Sequence, residues 1–233
     1  MVEELNNQGK KAGLEMNLSK TKLLANNKER ADLFIDGQKI EVSDEIVYLG
    51  QAISANGFHT GREIQRRITL TWAKFWSLKH IFKEPFANTQ KSKIFNSCIE
   101  PVLSYGAQTW SISKKTINQI KTTQNRIERS ILNLKLKDKI KISTIKSKLK
   151  NNKNLIREIK LKKWGWAGHI SRSDPKRWAY RTTFWQPFGT RKKGRRRLRW
   201  RDDIDNLLKH SHFHRIAQNR REWQRLGEAY ALS

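Results

Sequence analysis

From Thr60 onward, apolar side chains recur at helical spacing. Ile64, Ile68, Trp72, Phe75 and Phe82 fall three, four or seven residues apart and share one helix face. Pro85 ends that stretch. Ile94, Phe95, Cys98, Ile99, Val102 and Leu103 mark a second helix, with a kink expected at Pro101. Ile117, Ile120, Gln124, Ile127, Ile131 and Leu134 mark a third, at alternating three- and four-residue steps. Stripes of this kind are core positions, and three such helices can pack into a small bundle.

Ahead of the helices the period changes. Residues 1–13 read as the end of an amphipathic helix closed by Gly13, and Leu14 to Leu24 as a loop or short helix carrying Asn17, Lys20, Thr21 and Lys22. Ala31–Ile35 and Gln38–Val42 flank Asp36-Gly37, a two-residue hairpin turn in which Gly tolerates positive φ. A third strand is expected over Ile46–Ser54. Beyond the bundle, residues 135–160 are Lys-rich with interspersed Ile and Leu, a short helix-loop-helix. Trp164–Arg172 is dense in Trp, Gly and His. Phe184 to Trp200, with Pro187, Gly189 and Gly194, reads as an extended loop. Two helices close the chain, one starting near Asp202 and one from about Ile216 to Tyr230. The expected fold is mainly α with a small antiparallel β unit. Its segments are 1–59 (the hairpin unit), 60–135 (a helical bundle) and 136–233 (a basic helical tail).

Charge changes this picture most. The chain of 233 residues carries 49 Lys and Arg against 21 Asp and Glu, a net charge of +28. Residues 1–63 hold 8 basic and 10 acidic side chains, so the remaining residues hold 41 and 11. Self-repulsion on that scale gives a fold no stability, and a polyanionic partner is its natural explanation. The alternative is a basic surface of the ribosomal type, which also implies RNA. The hydrophobic fraction of 36% is low for a globular protein and too high for a disordered one. One cysteine, Cys98, excludes an intramolecular disulfide and a cysteine-based zinc finger, and reads as a buried structural thiol. No apolar run approaches the ~20 residues of a membrane span, and the first residues are not signal-like. An intracellular protein is expected, with no membrane or small-molecule partner.

The sharpest local feature is Arg191, Lys192, Lys193, Arg195, Arg196, Arg197, Arg199 and Arg201, eight cations in eleven residues with no acid among them. Guanidinium groups grip phosphate bidentately, and Trp200 can stack on a base or sugar. A nuclear-import signal is the plainer alternative, and the two are compatible. Asp202-Asp203 follows. Adjacent carboxylates can hold metal ions, yet this pair adjoins an Arg cluster and precedes an apolar helical stretch, so capping and ion pairing are expected instead. His210, His212 and His214 alternate without a neighbouring Cys and read as a solvated cluster, and His169 alone supports no triad. The residues describe a binding protein with no metal site and no assembled active site.

Taken in order, several segments resemble the C-terminal part of non-long-terminal-repeat retrotransposon endonuclease/reverse transcriptases. GLEMNLSKTK (Gly13–Lys22) resembles motif D, and VYLGQAIS (Val47–Ser54) resembles motif E. EIQRRI (Glu63–Ile68) and KSKIFNSCIEPVLSYGAQTW (Lys91–Trp110) resemble the thumb. KKWGWAGHISR (Lys162–Arg172), GRRRLRWRDDI (Gly194–Ile204) and RREWQRLGEAY (Arg220–Tyr230) resemble the tail. Each motif is weak alone; together, in the family's order, they run across nearly the whole chain.

The resemblance implies a palm-remnant hairpin, a thumb and a basic tail. It implies an RNA template paired with a DNA primer as partner, and a nuclear location. It makes Lys20, or Lys22, the motif D lysine, which protonates leaving pyrophosphate. It places Tyr48, Leu49 and Gly50 in the primer grip, whose plainer alternative is ordinary strand packing. It puts Arg62, Arg66 and Arg67 on the thumb that holds the duplex. The family's catalytic aspartates lie upstream of motif D, and Asp202-Asp203 matches the tail instead. No polymerisation by these residues alone is therefore expected, and Mg²⁺ is expected only for a complete polymerase. Two alternatives stay open: a stand-alone RNA- or DNA-binding protein, and a non-functional reading frame of a decayed element.

Overall fold

The computed structural model describes residues 1–25, 32–55, 59–151, 153–185, 194, 198–209 and 213–232. The protein is mainly helical with small paired strands, and it divides into two compact units, Met1–Glu63 and Ile64–Ser233.

In the first unit, α1 (Val2–Lys11) ends before Gly13, whose φ of 75° stops the helix. Among the described residues, six short strands follow: β1 (Lys22–Leu23), β2 (Phe34–Ile35), β3 (Gln38–Lys39), β4 (Glu41–Val42), β5 (Glu45–Tyr48) and β6 (Gln51–Ser54). The β2–β3 pair turns through Asp36 and Gly37, at φ 49° and 74°, as the sequence led us to expect. Lys10 and Asn6 of α1 both donate to the Asp36 carboxylate, at 2.7 and 2.9 Å, and hold it below the usual carboxylate range. Two expectations need correction. The arm Gln38–Val42 does not stay with the hairpin, because Glu41 and Val42 pair in parallel with Lys22 and Leu23. Nor is Ile46–Ser54 one strand: β5 and β6 form a second antiparallel hairpin, from Glu45↔Ser54 to Tyr48↔Gln51, folded at Leu49-Gly50. Leu49 takes φ 48° there. A leucine carries no local turn chemistry, so Gly50 alone marks this fold-back in the sequence.

The second unit is built on helices. These are α2 (His59–Ser77, which begins in the first unit), α3 (Lys79–Lys83), α4 (Asn88–Ile94), α5 (Glu100–Leu103), α6 (Lys114–Ile131), α7 (Ile142–Leu149), α8 (Leu155–Ser171), α9 (Trp178–Phe184), α10 (Asp202–Leu207), α11 (Phe213–Ile216) and α12 (Arg220–Leu232). The kink expected at Pro101 takes the form of a π turn over Phe95–Ile99 between α4 and α5, in which the Glu100 N–H reaches back to the Phe95 carbonyl. The wider turn makes room for a proline ring that would otherwise strike the preceding turn. Ser113 caps α6 with a reciprocal pair of bonds to Thr116, and the Asn154 side chain accepts from Ile156 and Arg157 at the start of α8.

Among the described residues, three apolar clusters hold these helices together. One gathers Ile64, Leu103, Trp110, Ile120 and Ile159; a second gathers Phe75, Phe82, Phe95, Ile127 and Ile145. Cys98 is half-buried beside the second rather than fully enclosed. The third joins α8 to the C-terminal helices. Trp164 of α8 and Trp223 of α12 stack at 3.9 Å, and each indole N–H donates to the other's backbone carbonyl, at 2.7 and 3.0 Å. The residue four beyond each tryptophan is a glycine. A Cβ on Gly168 would stand 2.4 Å from the Trp223 indole nitrogen, and one on Gly227 would stand 2.8 Å from Trp164 Cδ1. The last helix, expected from about Ile216, starts at Arg220 instead: a separate short helix, α11, ends at Ile216, and Asn219 opens α12 by accepting the Glu222 N–H on its side chain.

Candidate nucleic-acid interface

Arg191, Lys192, Lys193, Arg195, Arg196 and Arg197 lie outside the described residues, as do His210 and His212. The end of that basic run is placed, and it is tied inward. Arg199 is half-buried, and its backbone N–H donates to the Asp202 carboxylate at 2.7 Å. The Trp200 indole N–H donates to the Gln108 carbonyl at 2.7 Å, the Lys163 ammonium stands 5.3 Å from its ring, and the ring packs on the third core. Arg201 pairs with Asp205 at 2.6 Å and lies over Phe213 and Phe184. Trp200 and Arg201 thus anchor the run to the bundle.

Asp202 and Asp203 occupy the first turn of α10, where they complement the helix dipole; the N-cap itself is Arg201. Capping was expected of the aspartates, but neither sits in the capping position. Ion pairing does occur. The Lys163 ammonium, with no exposed side-chain surface, sits 2.8 Å from both oxygens of Asp203, and the Tyr230 hydroxyl donates to the same carboxylate at 2.7 Å. Burial lowers the Lys163 pKa, opposed by Asp203, and burial beside that carboxylate raises the Tyr230 pKa. A carboxylate already filled by an ammonium and a phenol does not fit Mg²⁺. Among the described residues no three His, Cys, Asp or Glu side chains gather to hold a metal ion.

The predicted thumb cations divide. Arg62 is exposed beside Glu45 at 3.4 Å, within the first unit. Arg66 is half-buried. Arg67 is buried, its guanidinium 4.3 Å from the centre of the Tyr105 ring. Tyr48 and Leu49, with Val47, form the exposed tip of the β5–β6 hairpin, and Gly50 completes its turn at φ 74°. Lys20 is exposed in a turn set by Asn17, which accepts its backbone N–H; Lys22 pairs with Glu41 at 2.9 Å.

Sequence periodicity missed one exposed element altogether. Helix α9 has no fully buried residue. Tyr180 and Phe184 face the bundle, Phe184 lying 5.2 Å from Phe213, while Trp178 is 73% exposed with the Arg181 guanidinium 4.9 Å from its ring. Trp185, just past the helix, is 65% exposed. Exposed tryptophans among cations were the available signal, but no apolar stripe marked the helix that carries them.

Among the described residues no helix is long and apolar enough to cross a membrane. No family model matches the chain, and no solved structure matches it. The chain is similar to an uncharacterized transposon-derived protein of Caenorhabditis elegans, 27% identical, over 96% of this chain and 86% of that one. This similarity supports an origin in a transposable element.

Proposed function

We propose that the chain binds nucleic acid through its helical unit, as the part of a retrotransposon reverse transcriptase that holds the template–primer duplex. The observation that carries this reading is the division of charge. The unit Met1–Glu63 is nearly neutral, with 8 basic and 10 acidic side chains, while Ile64–Ser233 holds 41 and 11. Such an excess, kept in a folded unit at the cost of self-repulsion, suits a phosphate backbone. Within the first unit, the exposed apolar tip Val47, Tyr48 and Leu49 is in keeping with a primer grip. The transposon-derived relative is in keeping with it.

Titrating the purified chain into a labelled RNA template–DNA primer duplex at rising salt tests the proposal. Affinity is expected to fall roughly 10³–10⁵-fold between 50 and 200 mM salt if about six to ten phosphates are neutralised. Replacing Arg191, Lys192, Lys193, Arg195, Arg196 and Arg197 by Gln should weaken binding and flatten that slope. A chain that ignores polynucleotides in dilute buffer would end the proposal.

A further inference from the structure

We infer that α9 carries a stacking platform for single-stranded nucleic acid, distinct from the basic run that follows it; the inference rests on the nucleic-acid reading above. Trp178 opens α9 and Trp185 is its C-cap, seven residues on, so helical spacing carried to the cap puts them about two turns, roughly 10 Å, apart on one side. Arg181 lies between them on that side. The opposite side, Tyr180 and Phe184, fixes the helix to the bundle through Phe213. An amphipathic helix ordinarily turns its aromatic side inward. Here aromatic rings stand on both sides, and the larger ones face solvent.

The surroundings say what those rings meet. Lys176, Arg177 and Arg181 are exposed around Trp178, and no carboxylate among the described residues pairs with them. Two broad indoles set among unpaired cations match a strand whose bases are unstacked and whose phosphates run alongside. A duplex hides its base faces and can meet only the cations. A single strand offers both chemistries, and stacking does not distinguish ribose from deoxyribose. The Arg181 guanidinium, already over one indole, adds a positive charge beside whatever base lies on Trp178.

The double variant W178A/W185A separates the two contributions. Three DNA probes of equal length are titrated with the full chain: a single strand, the corresponding duplex, and an abasic single strand with the same phosphates and no bases. Both tryptophans are exposed, so the variant is expected to keep the parent's unfolding midpoint, and W178F/W185F keeps flat rings at both places. For W178A/W185A we expect at least about tenfold weaker binding to the single strand, with the duplex, the abasic strand and the salt slope unchanged, and substantial recovery in W178F/W185F. Equal losses on all three probes, or no loss on the single strand, would overturn the platform while leaving nucleic-acid binding intact. Failure of the parent to bind any probe would instead overturn the reading on which the platform rests.

Discussion

Glu128 of α6 has no exposed surface. Its Oε1 accepts from Gln124 at 2.8 Å and from Asn151 at 3.1 Å, while its Oε2 has no hydrogen-bond partner among the described residues. Burial raises its pKa, against the pull of those two donors and of Lys146. A carboxyl raised in the folded state stabilises most below its unfolded value and loses that contribution as pH rises through the folded one. Stability should therefore decline with rising pH across that window. Glu128→Gln keeps an acceptor for Gln124 and Asn151 and removes the buried charge. Above the window it is expected to be more stable than the parent, with a flatter pH dependence in urea melts. No gain above the window would mean that the buried charge is accommodated without cost. Glu128 also marks how far single residues are legible. Gln124, one of its donors, appears in the sequence as a member of an apolar stripe, because spacing places a side chain on a face and is silent about its partners. Asp36-Gly37 announced its turn, whereas Leu49-Gly50 folds the chain back with the same signs of φ and no local polar signal.

At the scale of elements, the long stripes located α2 and α6 because each buries one continuous face, although the first stripe runs on through Phe82 across a break at Leu78 into α3. Where contacts are made by exceptions to the pattern, periodicity fails. Gly165 and Gly168 both sit inside α8, and in an isolated helix each costs about 1 kcal/mol relative to alanine. In the folded protein they differ. Nothing lies within 4 Å of a Cβ added at Gly165, while one at Gly168 meets the Trp223 ring. Gly165→Ala is expected to stabilise by about 0.5–1 kcal/mol. Gly168→Ala should destabilise by about 1–3 kcal/mol, since indole and helix must move apart. Urea unfolding of the two variants checks both signs, and a stabilised Gly168→Ala would mean the α8–α12 contact is not as close as described. The glycines that read as helix breakers are the reason two tryptophans can stack between helices. Helix α9 escaped for the converse reason: it buries too little to leave a stripe.

Across the whole molecule, counting charges located the basic unit but not which cations face solvent. Arg67, Lys163 and Arg201 count toward the net charge, and each is engaged inside the fold. Two of the three were read from the sequence as nucleic-acid contacts. For Arg67 and Lys163 the ring or carboxylate is brought from elsewhere, 40 residues away for Lys163 and Asp203, and no local window contains both.

The indole pair has a consequence for the order in which the protein is made. Trp164 leaves the ribosome 59 residues before the backbone that receives its N–H. Until then the face of its ring that Trp223 covers stays open, whereas Lys163 beside it waits only for Asp203, 40 residues on. A stop codon in place of Arg220 would remove only three arginines and two glutamates with the last helix, so the product keeps nearly all its positive charge. It would lose the partner that closes its third core. Such a shortened chain should expose dye-binding apolar surface and yield quickly to protease, while still adhering to polyanions.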